Sequence, residues 1–127
     1  MKAEAAKGIE ELKRQFDGAT VHVREDGSGG AYVVVEPINI GSKYEPCETW
    51  IGFQITAQYP YADIYPLFIG GDVSRKDGIG FQAPITHGHK FEGRNALQIS
   101  RRNSAAQSDT QKVVSKVLKV LHYLEKL

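Results

Sequence analysis

Sulfur is almost absent from this chain of 127 residues, which contains one cysteine, Cys47, and one methionine. A lone cysteine cannot form an internal disulfide, and it excludes a zinc site built from several cysteines. Long apolar runs are missing as well, since no stretch approaches the roughly 20 residues of a membrane-spanning helix. The first residues are rich in Lys, Glu and Ala and do not form the apolar core of a signal peptide. We therefore expect a soluble, cytoplasmic protein.

An excess of one charge is also lacking, because 16 basic and 15 acidic residues leave a formal net charge of +1. The basic residues are concentrated late in the chain, where residues 75–127 carry ten of them. No aromatic residues interleave with these charges, so we do not expect nucleic acid as a partner. A hydrophobic content of 41% over this length predicts one domain, residues 1–127.

Apolar residues recur at helical spacing near both ends of the chain. Four of them define one stripe of an opening helix: Ala5, Ile9, Leu12 and Phe16. Near the other end, residues 108–111 have the sequence of a capping box, and the valines and leucines that follow predict a closing helix of about 18 residues.

Strand patterns lie between the two helices. Residues 20–24 and 31–35 surround a Gly-rich turn and predict a β-hairpin, and residues 49–58 and 67–69 predict a third and a fourth strand. Residues 71–95 contain five glycines and predict a long irregular segment, after which residues 96–99 are too few for more than a brief extended piece. This order predicts an α+β fold with an N-terminal helix, a four-stranded antiparallel meander and a long C-terminal helix.

Two Tyr-Pro pairs and a later segment give the chain a likeness to a known family. Tyr59-Pro60 and Tyr65-Pro66 lie between the third and fourth predicted strands, and the run Gly93-Arg94-Asn95-Ala96-Leu97-Gln98-Ile99 comes later. This arrangement resembles the ubiquitin-conjugating enzymes, in which a Phe-Pro or Tyr-Pro turn joins strands three and four and a Gly-x-x-Cys-Leu-x-Ile segment carries the catalytic cysteine. The likeness is to the compact bacterial branch of that family. It implies the ubiquitin-conjugating fold, with Ala96 at the position of the cysteine.

The resemblance implies acyl transfer by thioester exchange, in which a thiolate takes an acyl group from an activating enzyme and passes it to an amine. Some members of the bacterial branch belong to antiphage CBASS operons and act on a cGAS-like nucleotidyltransferase. The implied partner is therefore such a nucleotidyltransferase or a ubiquitin-like protein. A methyl group cannot act as the nucleophile, so Ala96 cannot perform this step.

Two explanations of Ala96 stay open. The first is that an active cysteine was changed to alanine in this sequence; the intact flanking residues Gly93, Leu97 and Ile99 favour this explanation. Alternatively, the chain is a non-catalytic binding module of the same fold that recognises a ubiquitin-like or signalling partner.

Two histidines precede Ala96, at the place where the family has a His-Pro-Asn tripeptide. The resemblance implies that His89 matches the oxyanion-stabilising Asn, with His87 as a second candidate; His89 could instead take the proton of an incoming amine. The alternative is that both imidazoles bond to loop backbone. We expect no cofactor and no metal, because the nearby carboxylates, Asp77 and Glu92, have no recognisable metal-site spacing.

Four residues are candidates for contact with a partner. Arg101 and Arg102 can bind a carboxylate, such as an acyl-donor tail or an acidic strand, and Tyr61 and Tyr65 can form an exposed aromatic patch. The alternatives are a solvated loop charge for the arginines and core packing for the tyrosines. Cys47 is expected to be an ordinary thiol.

Overall fold

A computed structural model describes residues 1–102 and 112–127. Within these ranges two helices flank eight strands: α1 (Ala3–Gln15), β1 (Thr20–Glu25), β2 (Ala31–Asn39), β3 (Tyr44–Glu45), β4 (Glu48–Ile55), β5 (Leu67–Gly70), β6 (Ser74–Arg75), β7 (Ile85–Phe91), β8 (Arg94–Ile99) and α2 (Val113–Lys126). Six strands form an antiparallel sheet in the order β1-β2-β4-β5-β8-β7, and β3 pairs with β6 separately. The predicted α+β arrangement, with a helix at each end of an antiparallel sheet, is confirmed.

The alternation of side chains along each strand divides the large sheet into two faces. On β2, Val33 and Val35 point into the main core, where they join the apolar stripes of both helices, including Leu12 and Val117. We call the opposite side, which carries Tyr32 of the same strand, the outer face. The helices thus cover one face of the sheet and leave the apolar side chains of the outer face without helical cover.

The predicted count of four strands is wrong, because two further strands extend the large sheet. The segment 71–95, predicted to be irregular, contains β6 and β7. Residues 96–99, predicted as a brief extended piece, belong to β8, which pairs with β5 on one side and β7 on the other. The last strand of the predicted meander is therefore an interior strand of the sheet.

A bulge explains why β7 does not show the period of two. Its pairing with β8 shifts by one residue between Thr86 and His89, and Gly88 within the shift has a φ of 82°. The extra residue changes the face on which later side chains lie. Ile85 and Phe91, which a regular strand would place on one face, therefore lie in the main core and on the outer face respectively.

Tyrosine hydroxyls hold both ends of α2. At the first turn, the Tyr59 hydroxyl accepts a hydrogen bond from the Val113 backbone N–H at 3.2 Å, and at the last turn the Tyr44 hydroxyl donates to the Leu124 carbonyl at 2.6 Å. Burial raises the pKa of both tyrosines, so they stay neutral hydrogen-bonding groups at neutral pH. The predicted capping box at residues 108–111 lies outside the described residues.

The Tyr59 ring also explains a glycine in α1. Gly8 is buried in the middle of that helix, and a Cβ at this position would lie 2.9 Å from the Tyr59 hydroxyl oxygen. The close approach of α1 to Tyr59 therefore depends on the missing side chain. In the described ranges, neither helix is both long and apolar enough to span a membrane.

The hydroxyl contacts of α2 predict a measurable loss of stability. Tyr44→Phe and Tyr59→Phe should each lower the free energy of unfolding by about 1–2 kcal/mol, because each removes a buried hydrogen bond between a tyrosine hydroxyl and the backbone of α2. Urea unfolding followed by circular dichroism measures this change. Tyr61→Phe, at an exposed tyrosine, should change stability by less than about 0.5 kcal/mol. Equal effects of all three substitutions would contradict the assignment.

Candidate functional site

Ala96 lies in β8 on the outer face of the sheet. Its side chain is 2% exposed and belongs to a small apolar cluster with Val34 and Phe91. Three half-buried rings pack against this cluster: Tyr32, Trp50 and Phe68. Residue 96 therefore faces a packed aromatic layer rather than solvent.

Phe91 is the centre of this aromatic layer. Its ring stacks on Phe68 with the centroids 4.8 Å apart and on Trp50 at 6.2 Å, and it meets Tyr32 edge-on at 6.2 Å. Gly52 of β4 supplies the space, since a Cβ there would lie 2.7 Å from the Phe91 ring. A side chain at position 52 would force Phe91 away from the sheet.

The turn between β7 and β8 folds over the outer face, and we call residues 91–94 the hairpin tip. Glu92 and Gly93 have φ angles of 49° and 76°, the pattern of a type I′ turn. Glu92 accepts two hydrogen bonds from Arg24 of β1, from Nε at 2.9 Å and from the terminal nitrogen at 2.7 Å. This contact lowers the pKa of Glu92, although partial burial opposes the shift.

Arg94 makes a second contact between the hairpin tip and the outer face. Its guanidinium lies 2.5 Å from the carboxylate of Glu36 on β2 and 5.5 Å from the centroid of the Trp50 ring. A cleft of about 500 Å³ lies beside this contact, and Glu48 and Asp72 are among the residues that line it. Within the described residues, no three His, Cys, Asp or Glu side chains are arranged to hold a metal ion.

The two predicted histidines have separate surroundings. His89 is the β7 residue paired with Ala96 across the strands; its Nε2 lies 2.8 Å from the Thr86 hydroxyl, and its ring meets Phe68 edge-on. His87 lies in the bulged part of β7, tilted against the ring of Phe81. Their contacts are thus with side chains of the same hairpin and nearby rings.

The chain's one thiol is not on the histidine-bearing strand. Cys47 lies between β3 and β4, and its carbonyl accepts a hydrogen bond from the Ile40 N–H. β7, which carries the histidines, forms an edge of the large sheet, with β8 and β5 between it and β4. The fold therefore does not join the thiol and the imidazoles on neighbouring strands.

A second candidate site follows β8, and we call it the arginine–tyrosine patch: Tyr65, Arg101, Arg102 and Tyr123. The Arg102 guanidinium lies 3.9 Å from the centroid of the Tyr65 ring, and that of Arg101 lies 4.1 Å from the centroid of Tyr123. The structure thus unites two of the predicted partner-binding residues directly. Tyr61 is 65% exposed and does not take part in either stack.

Buried contacts hold the backbone of the patch. Lys116 of α2 is 5% exposed, and its ammonium group donates to the Arg101 carbonyl at 2.7 Å and to the Asp63 carboxylate at 3.1 Å. One residue earlier, the Ser100 N–H donates to the Pro84 carbonyl at 2.9 Å. The segment that carries the arginines is therefore fixed to α2 and to the start of β7.

Sequence reasoning missed two parts of these sites. Tyr123 was hidden because it lies on the closing helix and reaches Arg101 only through the tertiary fold. The contact of Glu92 with Arg24 spans 68 residues, which a local pattern does not show. The turn at Glu92 and Gly93 was the available signal, because two apolar-containing runs flank a residue pair that ends in Gly.

No family model, curated protein or solved structure matches this chain. The resemblance to the ubiquitin-conjugating enzymes therefore stays a prediction. What the structure defines is an α+β protein with a covered outer face and an exposed arginine–tyrosine patch. Its function has to be argued from these contacts.

The accessibility of residue 96 can be measured directly. In the variant Cys47→Ser/Ala96→Cys, the new thiol should react with a small aromatic disulfide at least about tenfold more slowly than the half-buried Cys47 of the unchanged chain, because the aromatic layer excludes the reagent. The release of coloured thiolate gives the rate. In urea both thiols should react at similar rates. Equal rates in the folded proteins would show that position 96 is open to a substrate, as acyl transfer requires.

Proposed function

We propose that this chain is a non-catalytic binding module that takes an acidic segment of a protein partner on the arginine–tyrosine patch. The observation that carries the proposal is the pair of stacked arginines, Arg101 on Tyr123 and Arg102 on Tyr65. In the part of the chain that the structure describes, no carboxylate forms an ion pair with either guanidinium. As far as residues 1–102 and 112–127 are concerned, both cations are thus available to a ligand.

Stacking prepares a guanidinium to bind a carboxylate. The ring covers one flat side of the group and leaves its N–H edge free to donate two parallel hydrogen bonds. It also restricts a long side chain before the partner arrives, so less rotamer entropy is lost on binding. Tyr65 and Tyr123 therefore hold Arg102 and Arg101 in a receptive geometry.

The charge balance of the later part of the chain favours an acidic partner. Asp63, an acidic residue close to this segment, is engaged by the ammonium group of Lys116, and both side chains are largely buried. Residues 75–127 carry ten basic and only four acidic residues. Such an excess speeds the encounter with an acidic segment and adds affinity at low ionic strength.

The surroundings of Ala96 support binding rather than catalysis. Its methyl group offers no nucleophile, and the aromatic layer covers it. Acyl transfer at this position would need a sulfur at residue 96 and removal of the hairpin tip from the outer face. The partner implied by the resemblance, a cGAS-like nucleotidyltransferase or a ubiquitin-like protein, meets the proposal if it presents an acidic segment.

The proposal predicts salt-sensitive binding of an acidic peptide. A short fluorescein-labelled peptide of alternating Asp and Glu should bind the unchanged chain, and Arg101→Ala/Arg102→Ala should weaken binding about tenfold, or about 1.4 kcal/mol, at low salt. Fluorescence anisotropy measures the affinity. The difference between the two proteins should shrink at about 300 mM salt, where the Debye length falls to several ångströms.

A matched variant separates the patch from net charge. Arg14→Ala/Lys76→Ala removes two exposed cations elsewhere and should leave the affinity within about twofold, because a distant charge acts only through the screened overall field. The proposal fails if the peptide does not bind the unchanged chain, if both double variants weaken binding equally, or if the loss at Arg101 and Arg102 is the same at both salt concentrations.

A further inference from the structure

We propose that the hairpin tip, residues 91–94, is a lid that closes over the apolar outer face and is latched by the contact of Glu92 with Arg24. The lid involves neither Arg101 nor Arg102. It therefore stands apart from the binding function proposed above, and each can fail without the other.

The first argument is the position of the tip in the sheet. β7 is an edge strand that pairs only with β8, and the last residue pair between β5 and β8 joins Gly70 to Ala96. The Gly71 N–H adds one bond to the Asn95 carbonyl. Beyond this point the tip residues pair with one another, Phe91 opposite Arg94. Side chains, rather than a sheet ladder, hold the tip against β1, β2 and β4.

The second argument is the set of those side-chain contacts. Phe91 rests over Gly52, Glu92 meets Arg24, and Arg94 meets Glu36. The side chains of Arg24 and Glu92 are 62% and 23% exposed. Ion pairs at such exposure are weak and are screened by salt. The tip is thus held by the packing of Phe91 in the aromatic layer and by two contacts that ionic strength weakens.

The third argument is the residue chosen for the turn. A type I′ turn requires positive φ at both central positions and favours Asn, Asp or Gly at the first. Glu92 occupies that position with a φ of 49° and is the one non-glycine residue with positive φ in the described ranges. A glutamate there costs turn stability, but its longer side chain reaches Arg24 on β1. The latch contact explains the choice of residue, and turn formation does not.

The base of the same hairpin contains a bulge. The bulge between Thr86 and His89, with Gly88 at a φ of 82°, separates the part of β7 anchored by Ile85 in the main core from the part that leads to the tip. Beyond the pair of Gly70 with Ala96 the two strands of the hairpin pair only with each other, so bending there would lift the tip and separate Phe91 from the outer face while the main core stays intact. The surface uncovered would contain Val34, Trp50, Phe68 and Ala96. Residue 96 would then meet solvent.

A natural reporter lies under the lid. Trp50 is the one tryptophan in the chain, and it contacts the tip through Phe91 and Arg94. Acrylamide quenching of its fluorescence therefore reports closure without a label. Arg24→Glu and Glu92→Arg should each raise the quenching constant about twofold, because each replaces attraction by repulsion. Arg24→Glu/Glu92→Arg restores opposite charges and should return the constant close to that of the unchanged chain.

Two further variants distinguish a latch from a structural turn. Glu92→Asn suits the turn but lacks the carboxylate, so it should raise quenching while leaving the thermal unfolding midpoint unchanged or higher. Lys90→Glu reverses an exposed charge on the same hairpin and should leave quenching unchanged. Unchanged quenching in both single variants at Arg24 and Glu92, or failure of the charge swap to restore it, overturns the lid.

Thiol reactivity at position 96 tests the same lid independently of Trp50. In Cys47→Ser/Ala96→Cys, the thiol at position 96 should react about tenfold faster when Glu92→Asn is added. High salt should raise the rate more in the protein that keeps Glu92 than in the Glu92→Asn variant, because only the former has the contact with Arg24 to lose. If Glu92→Asn leaves the reaction rate unchanged in a protein with native circular dichroism, the tip does not control access to residue 96 and the proposal is wrong.

Discussion

The packing of Phe91 over Gly52 is the contact on which the outer half of this structure depends. A six-stranded sheet has two faces, and the two helices can cover only one of them. The outer face carries Val34, Trp50 and other apolar groups that would otherwise meet water at a cost proportional to their area. The hairpin tip of the same chain folds back across the outer face and covers these apolar groups. Residue 96 is buried because it lies beneath this cover.

β8 joins two regions of different character. At its start, the hairpin tip is engaged with β1 and β2 through Glu92 and Arg94, which satisfies their charges within the molecule. Beyond its end, Arg101 and Arg102 stack on rings and stay unpaired with any carboxylate in the described ranges. The hairpin tip covers the outer face, whereas the arginine–tyrosine patch is exposed to a ligand. This difference is why we assign binding to the arginine–tyrosine patch and control of access to the tip.

Local periodicity predicted the elements in which it is unbroken. The apolar stripe of α1, the turn between β1 and β2, and the strands β4 and β5 were predicted from such local patterns. Pro37 interrupts the pattern of β2, since it lies where the pairing of β2 with β4 shifts by one residue. β7 was missed because the bulge at Gly88 changes the face of the side chains midway, and β8 was predicted only as a brief extended piece because its apolar run is short. The partners of Arg101 and Glu92 were missed because they lie far away in sequence.

The sequence by itself determined the class of fold, the apolar stripes of the two helices and the absence of sulfur chemistry at position 96. Those properties depend on side-chain type and spacing along one element, which a sequence displays directly. Only the tertiary structure decided that Ala96 is covered, that Arg24 meets Glu92, and that each arginine after β8 stacks on a tyrosine. These contacts join segments that are far apart in the sequence and that the fold brings together. A local sequence pattern therefore cannot show them.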